Sequence, residues 1–382
     1  MIARPFWEKR IREAWERVPI VWLAGVRRVG KTTLAKFFRE AEYLNCDLAR
    51  NRERLSDPEF FFQQCDAGLI VLDEVHKLED PSEVLKIAAD EFPEKRILAT
   101  GSSTLAATSK FRDSLTGRKR VVFLPPVLAS ELKAFGKASL EDRLLWGGLP
   151  PCLLGSGSDP EFYSEWFDSY FARDVQELFR VGKRTEFLKL TELLLRNNGG
   201  LAEITTLAKH SGLTRPTVMN YLDILEITQV IHRLRPFHNG GKRELLARPK
   251  IYGFDTGFVC YTRGWSELRP EDRGGLLENL VLDLLKAALP TTPPLYWRDK
   301  QDREIDFVLP GKHDHAIAVE CKWSSTKFNP SNLEVFRRYY PKGENLVVTA
   351  GPGHPERRRF GQVEATVVPV HRLLDWMDAR KS

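Results

Sequence analysis

Two groups of residues in this chain have types and spacing suited to chemistry on phosphates. The first is GVRRVGKT, comprising Gly25, Val26, Arg27, Arg28, Val29, Gly30, Lys31 and Thr32, with Thr33 following. It fits the phosphate-loop pattern G-x-x-x-x-G-K-[ST]. Gly25 and Gly30 let the backbone curl so that its N–H groups face phosphate oxygens. Lys31 brings a charge to the β- and γ-phosphates, and Thr32 offers its hydroxyl to Mg²⁺. The partner is LIVLDEVH, Leu69 to His76, in which four apolar residues deliver two acids to a strand end. Asp73 is expected to hold Mg²⁺ through water. Glu74 either polarises an attacking water or is a solvated loop carboxylate. No [NT]-K-x-D guanine-reading motif is present, which favours ATP over GTP.

Two further residues could complete this site. The strand Arg96–Thr100 runs into TGSS, so Ser102 is either a sensor of the γ-phosphate or part of a polar turn. Arg118, in SLTGR, is either a charge-neutralising arginine, acting in cis or on a neighbouring subunit, or a surface arginine. The trans version implies a homo-oligomer.

The second group lies near the C-terminus. Glu278, in GGLLENLVLDLL, shares a helical stripe with Leu282 and Leu285, which places a carboxylate on an apolar face. Asp306 lies in the strand EIDFVL. Glu320 and Lys322 lie two apart in AIAVECKW and so point the same way. Converging carboxylates bind Mg²⁺ or Mn²⁺, and an adjacent lysine can orient water and stabilise charge on a phosphodiester. This D…E-x-K arrangement after a helical glutamate resembles the PD-(D/E)XK nucleases, although Ile305 stands where the signature has proline. The resemblance implies metal-dependent cleavage of nucleic acid, with DNA the first expectation. The alternatives are a surface Glu–Lys pair and a nuclease fold that only binds.

The elements that must position these residues follow from periodicity. Strands at Ile20–Ala24, Glu42–Cys46, Leu69–Leu72, Arg96–Thr100 and Arg120–Leu124 alternate with helices, one of them at Lys31–Glu40. That order predicts an α/β fold: a P-loop parallel sheet with helices on both faces. Residues 201–237 read as a helix-turn-helix, with Gly212 at the turn and Thr214 capping the second helix. Val218, Leu222 and Leu225 face inward, and Arg215, Thr217 and Asn220 face outward. A wing is expected around Phe237–Phe254, with Lys242 and Arg243 on phosphates. The unit is either a DNA reader or a lid. The boundaries are 1–158 for the ATPase, 159–262 for the helical and winged-helix part, and 263–382 for an α/β domain resembling restriction endonucleases.

Composition sets limits without choosing among these. The 382 residues carry a formal charge of +6, which permits nucleic-acid binding without demanding it. The five cysteines form no zinc or redox pair, which suits a reducing cytoplasm. No apolar run spans a bilayer, so no membrane partner is expected. Taken together, the phosphate loop, the LDE strand, ATGSS, SLTGR, GGLP at Gly147–Pro150 and RDV at Arg173–Val175 resemble a family of bacterial and archaeal AAA-type ATPases. Members of that family carry a C-terminal domain long labelled as of unknown function. In FLPPVLASEL, Phe123–Leu132, Val127 and Ala129 depart from the family's Pro-Leu-Ser-like stretch, which leaves any role of Ser130 open.

Overall fold

Strands β1 (Ile20–Ala24) and β3 (Leu69–Asp73) are buried at every position, as strands covered on both faces must be. The computed structural model describes residues 1–101, 115–136, 139–155, 159–176, 179–238 and 248–380. The chain forms two compact units. One comprises Met1–Pro125, Glu165–Gly182 and Ile227–Gln229; the other comprises Pro126–Ser164, Lys183–Glu226 and Val230–Ser382.

In the first unit β1 and β3 join β2 (Glu42–Asn45), β4 (Arg96–Thr100) and β5 (Lys119–Phe123) in a parallel sheet of order β2-β3-β4-β1-β5. All five strands coincide with the expected ones to within a residue. Trp22, Leu44, Ile70, Leu72 and Ile97 form the core on one face with Phe62 and Leu85. The helix after the phosphate loop, α1 (Lys31–Ala35), is shorter than its periodicity predicts. Beyond Ala35 the chain tightens, with Phe38 N bonding to Ala35 O and Ala41 N to Phe38 O, and turns directly into β2.

The second unit holds two sheets. A small antiparallel sheet orders β6 (Gly200–Leu201), β8 (Lys250–Gly253) and β7 (Ile231–Leu234) as β6-β8-β7. Helices α2 (Ile204–Ser211) and α3 (Arg215–Ile227) precede β7, with Gly212 at φ 76° between them. Val218, Leu222 and Leu225 are buried and Arg215 and Asn220 exposed, as their spacing predicts; Thr217 is half-buried against Thr214. Lys242 and Arg243 lie outside the described residues.

The larger sheet has six strands in the order β13-β14-β12-β11-β10-β9, from β9 (Leu295–Arg298), β10 (Glu304–Pro310), β11 (Ala316–Lys322), β12 (Asn345–Thr349), β13 (Glu356–Phe360) and β14 (Val363–Pro369). Helix α4 (Arg273–Ala288) is buried along most of its length, with Leu277, Leu280, Val281 and Leu284 fully covered.

The GGLP segment has a steric reason. Arg143 is fully buried and donates to Val127 O and Thr256 Oγ1, and Asp255 accepts from Gly148 N at 2.6 Å. A Cβ on Gly147 would strike the Asp255 carboxylate, and one on Gly148 the Arg143 guanidinium. Only glycine lets the backbone pass this close to a buried ion pair.

Candidate functional site

The phosphate loop leaves the C-terminal end of β1. Gly25 adopts φ 152° and Gly30 φ 101°, and a Cβ on Gly25 would lie 2.6 Å from Leu124 O. Val26 and Val29 anchor the loop in the core, leaving Arg28 exposed and Arg27, Lys31 and Thr32 partly open. Lys31 Nζ donates to Gly25 O at 2.8 Å and Val26 O at 3.2 Å, so its ammonium lies folded over the loop. Burial pulls this lysine below its usual range, against the pull of Glu74.

Three groups outside the motif hold the loop in shape. Asp174, the acid of RDV, is buried and pairs with Arg27 at 3.3 Å. Trp166 Nε1 donates to Arg27 O at 3.1 Å. Buried Arg4 reaches Val29 O and Pro125 O.

Asp73 closes β3 on the same sheet edge, separated from the loop by β4. Its carboxylate is buried and fully oriented: Tyr43 OH donates to Oδ2 at 2.6 Å, and Thr100 Oγ1 donates to Oδ1. Each oxygen keeps a further lone pair, with which Asp73 could hold a hydrated Mg²⁺. Glu74 follows at φ 59°, its N–H bonded to Thr100 Oγ1. A hydrogen bond from His76 holds Glu74 below the usual carboxylate range, which keeps it ionised and able to accept a proton from water.

The other two expectations fare differently. Ser102 lies outside the described residues. Arg118 precedes β5, whose first residue pairs with Ile20 at the start of β1, so it sits at the opposite sheet edge from the phosphate loop. Its guanidinium is paired with Asp90 through two bonds. A role for Arg118 in its own chain's site is thereby corrected: five strand residues, about 16 Å, separate the two edges.

In the second unit Asp306, Glu320 and Lys322 come together. Lys322 Nζ lies 2.6 Å from Glu320 Oε2 and 3.6 Å from Asp306 Oδ2, and Cys321 N–H donates to Asp306 Oδ2. Glu320 Oε1 is buried with no hydrogen-bond partner. Burial, then the charge of Asp306, pushes Glu320 up to about 8 and Glu278 up to about 7. Burial works against the Lys322 ammonium, but Asp306 and Glu320 outweigh it and hold it charged. An orphaned carboxylate oxygen beside crowded acids is a deficit that a divalent cation would fill, with Asp306 and Glu320 as its holders. Among the described residues no three His, Cys, Asp or Glu side chains close around one ion, so such a site would have two carboxylates.

Glu278 is held separately. Tyr252 OH donates to it at 2.8 Å, and Lys250 Nζ approaches at 3.6 Å while bonding Glu304 at 2.6 Å. Sequence reasoning missed Lys250, Tyr252 and Glu304. Lys250 and Glu304 are 54 positions apart, with no motif to join them.

Comparison with known proteins adds the family. A family model described as an AAA domain matches residues 17–133. Two described as domains of unknown function, DUF8612 and DUF4143, match residues 137–269 and 273–373. "Uncharacterized protein Rv2008c" of Mycobacterium tuberculosis is 31% identical over 314 residues, covering 78% of this chain and 69% of its own length. An "Uncharacterized protein" of Haemophilus influenzae is 22% identical and covers 93% of each chain. Among solved structures, Cdc6p of Pyrobaculum aerophilum shares 11% identity over 74% of this chain and 96% of its own, at a TM-score of 0.29. The AAA match, over the sheet that carries Gly25–Thr32 and Asp73, identifies an ATP-binding and ATP-hydrolysing domain.

Proposed function

The chain belongs to the AAA-domain family that includes the Mycobacterium tuberculosis relative, and on that premise we propose that it couples ATP hydrolysis to Mg²⁺-dependent cleavage of nucleic acid, DNA in the first instance. Three successive modules share the work: 1–158 for ATP, 159–262 for nucleic-acid contact and 263–382 for cleavage. In the first, the loop from Gly25 to Thr33 cradles the phosphates. Lys31 swings from the loop carbonyls to the β- and γ-phosphates. Asp73 is held in place by Tyr43 and Thr100, and Glu74 takes the proton of the attacking water. Arg118 acts on a neighbouring copy in a homo-oligomer. Ser102, two residues past Thr100 in the sequence, is assigned to sensing the γ-phosphate.

The observation that carries the cleavage reading is the orphaned Glu320 Oε1 beside Asp306 and Lys322. Bound Mg²⁺ or Mn²⁺ would supply Lewis acidity and an acidified water. Lys322 places a positive charge where negative charge develops on the phosphodiester. Glu278 and Lys250 set the local field. The exposed Arg215 and Asn220 on α3 give a winged helix its reading face. The free thiols suit a cytoplasmic setting, and no described helix is long and apolar enough to cross a membrane.

A second reading is an ATP-switched binding protein with a silent nuclease fold. The Lys322 ammonium, which already answers Glu320 and Asp306 without a metal, favours it. Incubating the wild type with plasmid and single-stranded DNA, with and without ATP, in Mg²⁺, Mn²⁺ and EDTA separates the two. Metal-dependent cutting that Asp306→Ala abolishes supports cleavage; no cutting under any condition replaces it with the switched binder.

A further inference from the structure

The larger sheet carries a cavity of about 640 Å³ that the cleavage reading does not use. It lies over the C-terminal ends of β12 and β14 and is lined in part by Trp323, Thr349, His354, Arg358, Val367 and Pro369. Register shows which face it occupies. Glu320 pairs with Val347, and Val347 with Val367; Lys322 pairs with Thr349, and Thr349 with Pro369. Val367 pairs in turn with Glu356, and Ala365 with Arg358. Side chains of paired residues share a sheet face. Thr349, Val367, Pro369 and Arg358 therefore stand on the face that bears Glu320 and Lys322, and the cavity continues sideways from that pair. Arg358 lies three strand spacings over, about 14 Å, and, paired with Ala365, four residues short of the Lys322–Thr349–Pro369 row, about 13 Å along the strands; its side chain reaches back to Ser325.

Its chemistry is mixed in a particular way. Trp323, Val367 and Pro369 give it apolar and aromatic walls. Arg358 and His354 give it positive or hydrogen-bonding groups at the rim. Arg358 donates to Ser325 Oγ and is paired with Glu356, which also lines the cavity, so its charge is partly answered. One face of Trp323 is taken by the Arg273 guanidinium, 5.1 Å from the ring centroid. The volume lies in the range of pockets that enclose a small organic ligand. A duplex keeps its bases stacked inside and offers only backbone to such a wall, whereas an unpaired nucleotide presents a flat base to an aromatic ring and a phosphate to an arginine.

We propose that this cavity is a subsite for one unpaired nucleotide adjoining the phosphodiester held at Asp306, Glu320 and Lys322, so that the substrate is single-stranded or frayed nucleic acid. The proposal rests on the cleavage reading for what occupies the neighbouring site. The base packs against Trp323 and the proline wall, and the phosphate lies against Arg358.

The test uses the full chain in EDTA, with a short fluorescent single-stranded oligodeoxynucleotide and its blunt duplex as probes. Wild type should bind the single strand, and the cavity variants report the cavity's share of that binding. Trp323→Leu keeps apolar bulk without a π-face and should weaken single-strand binding about 5- to 150-fold, the worth of one base stack. Arg358→Ala, at an exposed strand position, should weaken it and lower its salt dependence. Duplex binding should change little in either, and ATP binding reports that both fold. Single-strand affinity equal to wild type in both variants overturns the subsite. Cleavage in Mg²⁺ is scored separately against Asp306→Ala. Cutting that survives with unchanged single-strand affinity in both cavity variants rejects the subsite and keeps the nuclease. Cavity-dependent binding without any cutting keeps the subsite and rejects the nuclease.

Discussion

Replacing Lys250 with methionine tests whether the acids around the candidate cleavage site are balanced as the structure implies. The substitution keeps the length of the buried stem and deletes the ammonium, which lies 2.6 Å from Glu304 and 3.6 Å from Glu278. Breaking a buried pair by removing one partner costs about 3–5 kcal/mol. Two facts reduce that here. The Glu278 and Glu304 side chains remain 20% and 22% exposed. Arg298 also still reaches Glu304 at 3.1 Å, and Tyr252 still donates to Glu278. The expected loss is therefore about 2–3 kcal/mol. It should depend on pH with a definite sign. Burial already raises Glu278 to about 7, so below that value the carboxyl takes a proton and needs no counter-charge. The loss should be largest near pH ~8 and smaller near pH ~6. Urea titration read by hydrogen exchange of the β8 and β10 amides measures it locally. A loss of equal size at both pH values, or none at the higher one, would show that Lys250 does not neutralise Glu278.

Asp174→Asn removes the charge that holds Arg27 of the phosphate loop; because Arg27 is about a third exposed, the expected effect is a modest rise of about 3- to 10-fold in the Kd for ATP, read by fluorescent-nucleotide titration. Unchanged affinity would make the RDV contact structural only. Arg118→Ala should leave ATP affinity intact, since its side chain lies at the far sheet edge. If it serves a neighbouring copy, turnover should fall and wild-type specific activity should rise with protein concentration; a concentration-independent monomer with unaltered turnover in the variant rejects that role. Alanine at Arg215, Thr217 and Asn220 together should weaken duplex DNA binding without touching ATP binding, and identical affinity across a salt series would assign α3 to docking instead.

The two motifs were legible because each concentrates its chemistry within a few residues of one strand. Gly25–Thr32 and Asp73–Glu74 need only β1 and β3 to end on one edge, and a parallel sheet ensures that. The pairing of Glu320 with Lys322 follows from the period of two in β11. What holds these groups was not legible. Tyr43 and Thr100 reach Asp73 only because β2 and β4 flank β3, and strand order is not written in local periodicity. Lys250 meets Glu278 and Glu304 across separate sheets and a helix. Where Arg118 could act was not legible for a related reason: the register of β5 against β1 turns it away from its own chain's phosphate loop, which leaves only the neighbouring-copy role. The GGLP glycines were visible as a motif, and their steric reason emerged only with the buried Arg143 and Asp255 beside them.

On the proposed function, ATP is hydrolysed at the loop from Gly25 to Thr32 with Glu74 as the base. Steady-state ATP turnover of Glu74→Gln, measured beside its ATP affinity, tests this most directly. Glu74→Gln preserves size and removes only the ability to take a proton, so the variant should bind ATP like wild type and turn it over about 100-fold more slowly or worse. Lys31→Ala, run in parallel, should lose binding itself. Wild-type turnover in Glu74→Gln would remove Glu74 from the hydrolysis.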